Sequence, residues 1–77
     1  MQKKSSMGIG KPSKRQAEIL QFVTKFQREK DYSPSLGEIA DNFGVSIPTI
    51  HQHIYFLRKK NLLSTDKGKK RSIQVFN

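Results

Sequence analysis

Apolar residues recur along this chain with two periods, and the change from one to the other divides it. From Ser13 to about Lys30, Ile19, Leu20, Val23 and Phe26 fall at helical spacing. Glu18, Gln21, Lys25 and Arg28 take the opposite side, and Phe22 sits at the edge of the apolar face. Ser13 and Gln16 make an S-x-x-Q capping box, and Pro12 discourages helix upstream of it. A second capping box, Ser35 closed by Glu38, opens a run in which Leu36, Ile39, Ala40 and Phe43 again follow the helical period. Gly37 departs locally from that helix; it suits a close backbone approach to phosphate or to the first helix, or is simply tolerated in a first turn. A third helix, over about 47–60, takes Ser46 as N-cap and Pro48 in its first turn. Ile47, Ile50, Ile54 and Leu57 form its inward face. Beyond Asn61 the period falls to two. N-L-L-S-T reads as a strand, D-K-G-K-K as a turn with Gly68 at its tip, and R-S-I-Q-V-F as a returning strand with Ile73 and Val75 facing inward.

Between the first two helices, E-K-D-Y-S-P-S is a connector in which Pro34 forces Ser33 to be extended. A short strand at Tyr32 and Ser33, pairing with the C-terminal hairpin, is expected there. Between the second and third helices, Ala40, Gly44 and Ile50 have the spacing of a helix-turn-helix. The small residue lets the helices cross closely. The glycine takes the positive φ of the turn, the β-branched residue anchors the second helix, and Val45 plugs the core beside them. The predicted fold is mainly α with a small β-hairpin (α+β), in the order helix, short strand, helix, helix, hairpin: a winged helix-turn-helix. Residues 1–12 read as a flexible basic tail, and residues 13–77 as the domain.

Length and composition sharpen this picture. Seventy-seven residues leave room for one small domain. There is no cysteine, hence no disulfide, no thiolate metal site and no thiol nucleophile, which suits a reducing cytoplasm. No apolar run approaches the ~20 residues of a transmembrane helix. The first ten residues lack the apolar stretch of a signal peptide. Fifteen Lys and Arg against six Asp and Glu give a formal charge of +9, which calls for a polyanionic partner, nucleic acid before membrane. The basic residues are not confined to one amphipathic helix, which argues against a membrane-surface module.

S-K-R-Q-A-E-I-L, Y-S-P-S-L-G-E-I-A, G-V-S with T-I and H-I, L-R-K-K-N-L-L and K-R-S-I together resemble the amino-terminal DNA-binding domain of LexA-type repressors. The likeness runs from about Ser13 to Phe76. It implies a third helix in the major groove and a basic wing, about 66–71, on the neighbouring backbone or minor groove. It also implies a bacterial or phage repressor that binds palindromic operators as a homodimer. The family's carboxy-terminal self-cleaving protease domain, with its Ser and Lys, has no counterpart in this sequence. Two local departures stand out. The spacing from Gly44 to His53 is one residue shorter than usual, and Asn61 stands where a glycine is common.

Candidate chemistry follows from the outward face of the third helix. At about 100° per residue, Pro48, Gln52, Tyr55 and Lys59 lie opposite the apolar face, with Thr49 and His51 on its flanks. Gln52 suits a bidentate contact to adenine and Thr49 a thymine methyl. Ser46, Tyr55 and Lys59 suit phosphates, which fix register without reading sequence. In the wing, Lys67, Lys69, Lys70 and Arg71 are candidates for phosphate or minor-groove contact, with Arg71, at the strand entrance, best placed. Ser35 and Lys11 are further candidates at the start of the second helix and in the tail. His51 and His53, two apart on a helix, point about 200° from one another and do not grip one metal. No cofactor, small-molecule ligand or enzymatic activity is expected. The expected location is the cytoplasm, on the nucleoid when DNA is bound. A winged helix that binds a protein or RNA is the alternative. The two readings separate by salt dependence and by sequence preference on duplex DNA.

Overall fold

A computed structural model describes residues 12–66 and 71–76. Three helices come first: α1 (Lys14–Lys30), α2 (Leu36–Phe43) and α3 (Ile47–Lys59). Two short strands follow, β1 (Leu63–Ser64) and β2 (Gln74–Val75), paired antiparallel with Leu63 opposite Val75 and Ser64 opposite Gln74. Each helix starts where its polar residue allows. Ser13 and Ser35 both form complete capping boxes, with Gln16 and Glu38 reaching back to the cap N–H. Ser46 caps α3 by accepting from the Thr49 amide, and Pro48 lies in its first turn.

The helix ends follow one rule. Gly44 closes α2 at φ 67°, and the Val45 amide bonds back to the Ala40 carbonyl at 3.1 Å. Asn61 follows α3 at φ 59°, and the Leu62 amide bonds back to the Leu57 carbonyl at 3.0 Å. Both are the six-to-one closures of a Schellman motif, which needs a left-handed residue just past the helix. Asparagine tolerates that conformation better than most side chains, which accounts for Asn61 at a position that commonly holds glycine.

One core unites the elements. Ile19 and Val23 of α1, Ile39 and Ala40 of α2, Ile50, Ile54 and Leu57 of α3, Leu63 of β1 and Ile73 before β2 are all buried. Val45, Leu20, Phe22 and Val75 pack against this cluster from its margins. Phe22 also meets Phe26 and Phe43, with ring centroids 5.8 and 5.9 Å away. Gln16 is buried as well, its Oε1 accepting from the Ser13 amide at 3.1 Å and from Lys60 Nζ at 3.0 Å. The capping glutamine therefore also ties α1 to the end of α3.

Three expectations are corrected. Tyr32 and Ser33 form no strand; among the described residues the sheet has two strands. Asp31 is left-handed at φ 65° and bends the chain, and Pro34 has no N–H to give a ladder. The Ser33 carbonyl accepts instead from the Arg71 side chain at 3.3 Å. Ile47 is half exposed, not inward. It lies at the margin of the face set by Ile50, Ile54 and Leu57, where the fold opens into a groove. Gly37 makes no close approach to α1. A Cβ there would meet Ile47 Cδ1 at 3.8 Å, an ordinary contact.

Candidate nucleic-acid interface

The two-helix unit positions α3 through local geometry. Gly44 turns the chain, Ser46 starts the new helix, and Ile50, Ile54 and Leu57 seat it on the core. What remains outside is a polar strip. Ser46, Pro48, Thr49, His51, Gln52, Tyr55 and Lys59 are all exposed, so the predicted reading face is presented to solvent in full. The hydroxyls of Ser46 and Thr49 lie 2.9 Å apart, and Ser46 Oγ also receives the Thr49 amide. Those two hydroxyls thus hold the first turn of α3, while the Thr49 methyl stays available for apolar contact. Lys59 Nζ sits 5.5 Å from the Tyr55 ring centroid, which orients an otherwise mobile cation along the helix face.

One flank of α3 borders an open groove. Its far wall is the hairpin and its floor the first turn of α2, with Ile47, His51, Tyr55 and Arg58 along the α3 side. Arg58 is not among the candidates read from the sequence. Its position seven residues after His51 and three after Tyr55 places it on their flank, and that spacing is the signal that identifies it. Its guanidinium reaches Thr65 of the hairpin at 3.4 Å, a weak contact that leaves the charge at the groove. His53 is half-buried and Phe56 is exposed, on the flank away from that groove. Among the described residues there is no group of three or more His, Asp or Glu side chains placed to hold a metal ion, and no helix is long and apolar enough to cross a membrane.

The remaining candidates are placed unequally. Ser35 is half-buried and spends its hydroxyl on the Glu38 amide at 3.2 Å. Arg71 points its guanidinium at Glu38, with NH1 to Oε1 at 2.6 Å and NH2 to Oε2 at 3.0 Å. The same group lies 4.8 Å from the Tyr32 ring centroid. That hydrogen-bonded guanidinium holds the Glu38 carboxyl below the usual carboxylate range, helped by the Ser35 amide, and Glu38 in turn raises Arg71. Lys11, Lys67, Lys69 and Lys70 lie outside the described residues.

Three helices, a tight left-handed turn, an exposed polar strip on the last helix and a flanking hairpin define a winged helix-turn-helix protein. A family model of the LexA DNA-binding domain matches residues 10–72, and the chain belongs to that family. It is 42% identical over 64 residues to a LexA repressor of Koribacter versatilis, an alignment that covers 82% of this chain and 30% of that protein. With a LexA repressor of Brevibacillus brevis it shares 39% identity over 70 residues, covering 90% of this chain and 34% of the relative. With one from an Exiguobacterium species it shares 41% over 66 residues, or 84% and 32%. The chain thus spans about a third of the length of the curated relatives it matches.

Proposed function

We propose that this protein binds double-stranded DNA sequence-specifically and acts as a LexA-like transcriptional repressor in a bacterial cytoplasm, as a homodimer on a palindromic site. The observation that carries the reading is the solvent-facing strip Pro48–Thr49–Gln52–Tyr55–Lys59, on a helix seated by buried Ile50, Ile54 and Leu57. A helix presented in this way fits the major groove, about 12 Å wide. Gln52 and the Thr49 methyl read base edges. Ser46, His51, Tyr55 and Lys59, joined by Arg58 from the groove, set register on phosphates. The wing lysines Lys67, Lys69 and Lys70, with Lys11 ahead of the domain, add sequence-independent affinity. The capping of α1 by Ser13 supports a boundary between tail and domain at residues 12 and 13.

Selection of bound duplexes from a random library tests this directly. The expected product is a pair of inverted half-sites, spaced by whole helical turns if a dimer binds. Gln52→Ala is expected to relax preference at one or two base pairs, at a cost of about 1–3 kcal/mol on the preferred site. Lys69→Ala with Lys70→Ala is expected to weaken every duplex alike. An equal loss on selected and random duplexes for both changes would remove Gln52 from the reading role.

A further inference from the structure

Arg71 is the most heavily engaged cation among the described residues that face the groove. Its fork meets both oxygens of Glu38, and NH1 also donates to the Ser33 carbonyl at 3.3 Å. Its Cζ lies over the Tyr32 ring. Glu38 is itself not free to leave, because its Oε1 accepts the Ser35 amide at 2.9 Å and so caps α2. The backbone of Arg71 is left-handed, at φ 54°, a conformation that side chains other than Asn and Gly adopt at a cost. Two residues on, Gln27 Nε2 of α1 donates to the Ile73 carbonyl at 2.9 Å and fixes the chain as it enters β2.

We infer that Arg71 is a latch rather than a DNA contact: its bidentate pair with the α2-capping carboxylate of Glu38 sets where the returning strand, from Arg71 on, stands over the first turn of α2 and the groove beside α3. Arg71 is then a positioning residue, acting on duplex binding through the lysines of the wing. The inference rests on the DNA-binding reading above and assigns this arginine a role within it. Charge argues the same way as geometry. A phosphate approaching Arg71 meets a neutralised pair, and capturing the guanidinium would leave the Glu38 carboxylate without its cation. Lysine is no substitute, since a point charge reproduces neither the fork on Glu38 nor the stack on Tyr32.

The test is a salt titration of duplex affinity, on a duplex recovered by random-library selection, for wild type, R71K, R71Q, E38Q and the double variant E38Q/R71Q. Glutamine also closes a capping box, so E38Q removes the latch charge and leaves α2 capped. The expected result is that R71K, R71Q and E38Q each lower affinity by about two- to fivefold, the scale of one exposed ion pair. The slope against log salt stays that of wild type, and the double variant is no weaker than R71Q. The inference is overturned if R71Q reduces the slope by about 0.9, the signature of one lost phosphate contact, while R71K binds like wild type. It is equally overturned if E38Q binds more tightly, as it would were it to free a phosphate-seeking arginine. Amide exchange without DNA at Asp66, whose N–H donates to Ser72 Oγ at 2.9 Å, keeps the two readings apart. Should wild type bind no duplex, the DNA reading fails, and the latch stands or falls on whether E38Q and R71K both speed that exchange.

Discussion

The stretch from Ser35 to Lys60 and the hairpin from Leu62 to Phe76 rest on one core, yet they are held there by different means. In the first, nearly every constraint is local. Ser35 and Glu38 cap each other across three residues, Gly44 turns the chain, and Ser46 and Thr49 cap across three more. In the second, among the described residues, the ladder is two bridge pairs and one further bond, from the Phe76 amide to the Leu62 carbonyl. The rest comes from a distance: Gln27 to Ile73, Arg71 to Glu38 and Ser33, and Ser72 Oγ closing on both the amide and the carbonyl of Asp66. A two-stranded hairpin is marginal alone, so this one borrows its stability from the helices. The reading helix is thereby set firmly, while the wing beside it depends on a few polar ties.

The comparison breaks most completely at a residue both regions share. Ile50 is fully buried in the cluster that also holds Leu63 and Ile73. Ile50→Ala is expected to cost about 2–5 kcal/mol, a large part of the stability of so small a domain. Helix and hairpin should be lost in one transition in urea, followed by circular dichroism for the helices and, for the hairpin, by the Phe76 amide, which donates to the Leu62 carbonyl at 2.9 Å. Two separated transitions would mean that the hairpin does not share the helical core.

Two glycines sharpen the comparison inside the helical unit. Gly44 is left-handed at φ 67° with nothing within 4 Å of an added Cβ, so Gly44→Ala meets no clash and only backbone strain. A loss of about 1–2 kcal/mol is expected. Gly37 is helical, and its added Cβ would sit at ordinary contact distance from Ile47, so Gly37→Ala should gain up to about 1 kcal/mol. Denaturant midpoints that shift in opposite directions are the expected result. Losses at both would show that α2 relies on a flexible first turn.

The same contrast explains what could be read from the chain. The capping boxes, Gly44 and the buried faces of α1, α2 and α3 are legible because each depends on residues three or four apart. Ile47 escapes because periodicity defines a face and not its margin, and the margin opens onto a groove that only the hairpin completes. The strand expected at Tyr32 and Ser33 fails for a related reason. Pro34 implies extended backbone, but what the Ser33 carbonyl bonds to is decided 38 residues away, at Arg71. In the sequence, Arg71 looks like the best placed of the wing cations. Its partner is a carboxylate already accounted for as a cap, and nothing in local spacing announces that one Glu38 serves both.

The smallest expected effect is confined to the wing and comes from acid. The folded protein holds the Glu38 carboxyl below the usual carboxylate range, first through the Arg71 hydrogen bond and then through the Ser35 amide. A carboxyl lowered on folding contributes stability that is complete above its unfolded value and is lost as pH falls through the folded one. Arg71 is raised, so its share is lost only in strong alkali, and the latch is sensitive to acid alone. Both side chains are about two-fifths exposed, so the effect on global stability is small. It should appear in the hairpin before the helices. As pH drops below the ordinary glutamate range, exchange at the Asp66 amide, bonded to Ser72 Oγ, should speed up while the Ile54 amide, in the buried part of α3, stays protected. E38Q should remove that step and leave the rest of the profile unchanged. If Asp66 and Ile54 lose protection together, the wing is not a separately released part, and the distinction between locally and remotely held regions fails at the contact that joins them.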